Sequence, residues 1–335
     1  MTSKALFDVP LGAAAQVSII DSTLRITDIP TDYFMTPHVE GFDTFAPIPS
    51  WSFLVQSSTG QTALFDLGVP PDTDTFAPVI VDKLKKNGWT VEVKQHVADI
   101  LKDNGFDPTD TLSSVRASKT PSCLPTLPTL NFQSRKATLG RNLREIEFSQ
   151  QIKAGAFRAF NFFGDGSFYL LDTPGHAVGH LAGLARTTTK PDTFIMMGGD
   201  LCHHSAEIRP SPHLPIPAQV SFPLPDVLRS RMSRCPGGDL FQQLNVKRGR
   251  KPDEPFFDPV IGSDLRQAID TIKKTQEADA QDDVLYIFAH DSSVLGAVEL
   301  FPLPANQWKE KGWREKILWR FLEDLALPAV LADGQ

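Results

Sequence analysis

Three places in the chain set an apolar, strand-like run directly before a side chain able to hold a metal or a proton. They are Thr173-Pro174-Gly175-His176-Ala177-Val178-Gly179-His180, Gly198-Gly199-Asp200 and Phe288-Ala289-His290-Asp291. Two imidazoles and a carboxylate are zinc-ligand types, and strand ends hold side chains on rigid supports. Pro174-Gly175 permits a tight turn that points His176 out of a sheet. Taken singly, each has an ordinary alternative: a lone histidine after a turn belongs to surface or core, and a lone Gly-Gly-Asp is a loop. Asp291 either orients a ring or caps the following turn. Cys202-His203-His204 follows Asp200, but adjacent side chains rarely bind one ion together, so the expectation there is surface exposure. No GxSxG is present, so a Ser-His-Asp triad finds no support.

The elements that must position these residues read as two blocks of strands, each followed by helices. Gln16–Ile20 and Thr23–Ile29 are β-branched and alternating; Trp51–Gln56 and Thr62–Leu67 flank a Ser-Ser-Thr-Gly hairpin signal. Phe76–Asn87 and His96–Asn104 change to helical spacing and stop at Asn-Gly pairs. In the second half, Phe157–Phe163, Ser167–Asp172, Ala182–Thr187, Thr193–Met197 and Val284–Ala289 read as strands. Asp264–Ala278 is an amphipathic helix, and Trp308–Leu325 a terminal helix whose tryptophans serve the core. The stretch between Asp200 and Pro259 reads as proline-rich loop. No glycine-rich phosphate loop follows a strand. The pattern suits an α+β sandwich of sheets covered by helices.

Composition narrows the function classes. The 335 residues carry 33 Lys+Arg against 40 Asp+Glu, a formal charge of −7. An acidic chain without a basic stripe argues against nucleic acid; the cluster Lys247, Arg248, Arg250, Lys251 is read as a solvated turn. Three cysteines without a CxxC are neither a disulfide framework nor a thiolate zinc site. No apolar run approaches 18 residues, and the N-terminus lacks a long apolar segment, so the expectation is a cytoplasmic protein without membrane contact. Length and pattern predict a single domain over residues 1–335.

The ordered set Leu64–Gly68 with its Asp66, TPGHAVGH, GGD and FAHD resembles four of the five signatures of the metallo-β-lactamase fold superfamily, most closely its lactonase-like, fungal-type branch. The likeness runs from about Ser52 to Trp319. It implies a four-layer αβ/βα sandwich with metals at the sheet edge, zinc as cofactor, and hydrolysis of a small lactone, lactam or thioester by metal-activated water. By the same resemblance His176 and His290 would be zinc ligands and Asp200 the carboxylate between two zincs. Asp66 and His180 would support them from behind, and Asp291, beside His290, keeps its two readings as a ring-orienting acid or a cap. The resemblance assigns no further catalytic residue.

The remaining signature, HxHxDH, is missing. Its place reads Thr111-Leu112-Ser113-Ser114-Val115-Arg116-Ala117-Ser118-Lys119-Thr120, and the eight histidines, at 38, 96, 176, 180, 203, 204, 213 and 290, form no such motif elsewhere. Thr111–Arg144 holds no Asp, Glu or His, where average composition would place about four acids. Three accounts fit: a pseudoenzyme scaffold that has lost its metals, a shifted frame or altered splice between two native halves, and a weak mononuclear hydrolase. The sharp edges of the break favour the second. The expectation is a metallo-hydrolase impaired by this loss, against the alternative of a noncatalytic binding or scaffold protein. Neither substrate nor oligomeric state is legible.

Overall fold

The computed structural model describes residues 7–76, 78–107, 112–115, 146–148, 151–220 and 237–333. Cys123, Cys235 and all of the Thr111–Arg144 segment except its strand at Leu112–Val115 lie outside them.

One sheet holds four strands. β1 (Ala15–Asp21) pairs antiparallel with β4 (Trp51–Ser57), and β4 with β5 (Thr62–Phe65). β5 pairs in parallel with β7 (Leu112–Val115), Phe65 opposite Val115. The stretch Thr111–Thr120, where the resemblance puts HxHxDH, thus contains a strand of this sheet. Between these, β2 (Leu24–Thr27) pairs with β6 (Thr90–Val93), and β3 (Met35–Thr36) with the later β13 (Asp258–Pro259).

The other sheet takes β8 (Lys153–Ala154), β9 (Phe157–Asn161), β10 (Phe168–Asp172), β11 (Leu181–Thr188), β12 (Thr193–Met197) and β14 (Val284–Ile287), in the order β14-β12-β11-β10-β9-β8. β12 and β14 are parallel; the other pairings are antiparallel.

Strand periodicity explains the layering. Val17, Ile19, Phe53, Val55 and Phe65 turn one way and meet Phe168, Leu170, Ile195, Met197, Leu285 and Ile287 in a single core between the sheets. Residues one step along face outward. Ile20, Leu54 and Leu64 pack on Val97 and Leu101 of α2 (Val97–Asp103), which follows α1 (Pro78–Asn87). Leu171, Leu184, Met196 and Tyr286 join Ile272 and Ala278 of α4 (Leu265–Asp279), capped by the Asp264 carboxylate on the Gln267 N–H. Helix, sheet, sheet, helix is the expected four-layer α+β sandwich. Burial on both faces is why the strands read as nearly continuous apolar runs.

Two expectations need correction. The proline-rich stretch contains α3 (Gly238–Lys247), which buries Phe241 and Leu244. The terminal helix is broken into α5 (Trp313–Ile317), a 3-10 turn at Arg320–Glu323 and α6 (Ala326–Asp333). Trp308 and Trp313 both enter the core between the sheets. Five residues apart on one α-helix they would diverge by roughly 140°. The chain instead turns at Gly312, whose φ of 63° is left-handed.

The basic cluster is also not a simple solvated turn. Arg250 forks onto Asp258 at 2.9 and 3.1 Å, and Arg248 lies over the Phe257 ring and donates to the Phe256 carbonyl at 2.8 Å. Among the described residues, no helix is long and apolar enough to cross a membrane.

Candidate active site at the sheet edge

Strand direction gathers the site. β14 runs parallel to β12, and β10 runs in the same sense because two antiparallel steps separate it from β12. All three strands therefore end at one edge, and His176, Asp200 and His290 follow those ends within a few residues. The Ala289 N–H donates to the Gly199 carbonyl at 2.8 Å, and the Trp51 N–H to the Ala289 carbonyl at 3.0 Å, tying both loops to the opposite sheet. Gly175 makes the His176 turn possible. Its φ is 130°, and a Cβ there would lie 2.2 Å from the Ala268 nitrogen.

The structure brings the three residues together around one carboxylate. His290 Nε2 lies 3.2 Å from Asp200 Oδ1, and His176 Nε2 lies 3.7 Å from Asp200 Oδ2. His290 Nδ1 is 2.9 Å from the Pro49 carbonyl. A carbonyl only accepts, so Nδ1 carries a proton there. Burial opposes a charge on His290, but the hydrogen bond and charge of Asp200 outweigh it and its pKa rises. For Asp200, burial works upward, yet the His290 hydrogen bond and the His176, His290 and His203 rings hold it well below the usual carboxylate range. Burial lowers His176, and its Nε2 has no hydrogen-bond partner.

The supporting residues sit close behind. His180 Nδ1 lies 3.0 Å from the Thr173 carbonyl, while its Nε2 accepts the backbone N–H of Asp200 at 3.2 Å. That pairing defines a neutral ring, and burial, aided by His176, lowers its pKa to about 4. Asp291 caps the turn Ser292–Val294 by accepting the Ser293 N–H at 3.1 Å. Asp66 closes β5 with φ 64° and accepts the Gly68 N–H at 3.0 Å.

Burial first, then the charge of Asp200, raises the Asp66 pKa to about 6 from 3.8. Between those values the folded state keeps a proton that the unfolded chain releases. Stability therefore falls as pH climbs through that window, by up to about 3 kcal/mol in the metal-free protein, and levels off above it. Urea unfolding of the chain and of Asp66→Asn from pH 4 to 7 should show this slope only in the former; parallel curves would refute it.

His203 was missed by sequence reasoning. Cys202, His203 and His204 are buried rather than surface-exposed: Phe34 covers His203, Phe42 and Phe45 cover His204, and Cys202 packs in the outer core with Tyr286 and Phe288. The His203 ring stacks on Phe34 at 4.3 Å and stands 5.1 Å from the His176 ring and 5.9 Å from that of His290. Its Nδ1 is buried without a partner. The available signal was its spacing of three from Asp200. His204 instead faces Asp324 at 3.1 Å, and the Cys202 thiol meets the Tyr286 hydroxyl at 3.4 Å.

The donor chemistry suits a divalent cation such as zinc. Each Asp200 oxygen faces one imidazole, and the bare His176 Nε2 is an atom a cation would satisfy. For two cations the donor count falls short, with one ring nitrogen and one oxygen on each side, whereas the three residues together match the three protein ligands of one catalytic zinc. Among the described residues, no group of three or more His, Cys, Asp or Glu stands arranged as a complete metal cluster.

Comparisons with known proteins agree with this architecture. No family model matches the chain. It is 36% identical over 348 residues to gamma-lactamase FDB1 of Fusarium pseudograminearum, covering 93% of this chain and 83% of that protein. It is 37% identical over 346 residues to the metallo-hydrolase mfmC of Annulohypoxylon moriforme, covering 94% and 88%. An N-acyl homoserine lactone hydrolase, solved with N-hexanoyl-L-homoserine at its catalytic metal centre, superposes with a TM-score of 0.51 at 15% identity, over 87% of this chain and 99% of that one. With its strand ends, its sandwich and these relatives in agreement, the chain has the metallo-β-lactamase fold and belongs to the family of the fungal γ-lactamases and metallo-hydrolases.

Proposed function

We propose that the chain is a hydrolase that opens a small lactam or lactone ring, or cleaves a thioester, with activity held low by the missing HxHxDH. The observation that carries this reading is the single ionised carboxylate of Asp200 set between the His176 and His290 imidazoles at a sheet edge. The names of the relatives, γ-lactamase and metallo-hydrolase, support the reaction class.

In such a reaction a water oxygen bonds to the carbonyl carbon, the ring C–N or C–O bond breaks, and a proton reaches the leaving atom. Asp200 supplies fixed negative charge where His176 and His290 converge. The Pro49 carbonyl orients His290 through Nδ1, so that Nε2 faces Asp200. His180 holds the Asp200 loop through its backbone N–H. Phe34 stacks on the face of the His203 ring and holds it in place. Zinc held by His176, Asp200 and His290 would polarise the carbonyl and lower the pKa of water toward neutrality.

A second reading, a noncatalytic binding protein on this scaffold, is favoured by the absent motif. Metal analysis after zinc loading and dialysis separates the two, together with ring-opening assays on a γ-lactam and an N-acyl homoserine lactone. The hydrolase reading expects at most one zinc per chain and slow turnover that a chelator stops. Two tightly held zincs would overturn the impairment, and neither zinc nor turnover would leave the scaffold reading standing.

A further inference from the structure

Away from the His176, Asp200 and His290 cluster, a cavity of about 780 Å³ opens between the turn 249–259 and helix α4. Glu207 lines it and is only 1% exposed. Its Oε2 accepts the His203 backbone N–H at 3.4 Å, whereas its Oε1 is buried with no hydrogen-bond partner. A buried carboxyl oxygen without a donor is costly, and native structures rarely keep one without a use.

Charges of both signs line the cavity. Asp253, Glu254, Asp258 and Glu277 stand in the cavity wall beside the exposed Lys251, Lys273 and Lys274, and Lys251 Nζ lies 3.9 Å from Glu254 Oε1. The half-buried cation Arg250 is already forked onto Asp258. Ile269 and Ile272 supply apolar wall from α4. The volume lies in the range of small-molecule sites.

We propose that this cavity is a second ligand site that binds a small aliphatic amine, its ammonium donating to Glu207 Oε1 and its hydrocarbon body lying on Ile269 and Ile272. An ammonium brings the missing donors and a positive charge, making a charge-assisted bond with the carboxylate it induces. An alcohol brings a donor without the charge. A carboxylate brings a second anion beside Glu207 and no donor for its Oε1. Burial, with the nearby charge of Asp258, pushes the Glu207 pKa well up, and an ammonium beside the carboxyl would act in the opposite direction.

The test uses the full metal-free chain at neutral pH, so its outcome is independent of zinc and of hydrolysis. n-Butylamine is titrated by calorimetry, with n-butanol and butyrate as comparators. Saturable binding of the amine is expected, at least about tenfold tighter than either comparator, and weakened at least about tenfold in Glu207→Gln. Ile269→Trp, which fills the mouth from a half-exposed position, should abolish binding and keeps the test decisive if Glu207→Gln does not fold. Absence of saturable amine binding, equal binding of butyrate, or unchanged affinity in the folded variants would overturn the proposal.

Discussion

Replacement of Asp200 by Ala is expected to weaken zinc binding by about a hundredfold or more and to bring hydrolysis to the chelated background. The reason is geometric. His176 and His290 both face this carboxylate, one ring on each oxygen at 3.7 and 3.2 Å. Loss of residues that merely orient metal ligands already costs about 10–100-fold in affinity, and loss of the shared carboxylate should reach at least the top of that range. The fold should survive, because His180 grips the Asp200 backbone N–H rather than its side chain. Competition with a chromophoric chelator measures the affinity, and circular dichroism confirms the fold. Zinc affinity equal to that of the parent chain would refute the site.

Asp279→Ala should cost about 3–5 kcal/mol of stability. Arg209 and Asp279 are each 2% exposed and joined by two bonds, Nε to Oδ2 at 2.8 Å and Nη2 to Oδ1 at 2.6 Å. The third arm of Arg209, Nη1, donates to the Leu318 carbonyl at 2.8 Å. One guanidinium thus fastens the segment that follows Asp200 to helix α4 and to the C-terminal turns. Removing its carboxylate strands a buried charge, which is far worse than removing both members. Urea unfolding should show the loss, and the double change Arg209→Met with Asp279→Leu should recover most of it. A single-variant loss below about 1 kcal/mol would contradict this account.

The strand ends were legible because their evidence is local. Leu64–Gly68, Pro174-Gly175-His176, Gly198-Gly199-Asp200 and His290-Asp291 each pair an apolar run with a turn and a polar side chain. The ends of α2 and α4 were legible for a similar reason: His96 and Asp264 both cap the helices that begin beside them. What failed depended on partners distant in sequence. Cys202-His203-His204 looks like an exposed polar run until phenylalanines from residues 34 to 45 close over its two histidines. The basic turn looks solvated until Arg250 finds Asp258 and Arg248 finds the Phe257 ring. The last helix looks continuous until two indoles five residues apart must enter one core.

Sequence alone sufficed for the α+β sandwich, for the three residues of the sheet edge, and for the absence of HxHxDH, since periodicity and composition are properties of the chain itself. Folding in three dimensions decided that His176 and His290 face opposite oxygens of Asp200, that His203 joins them, and that Glu207 keeps a bare oxygen beside a cavity. Those facts turn on distances and desolvation between segments up to hundreds of residues apart, and no short-range pattern encodes either.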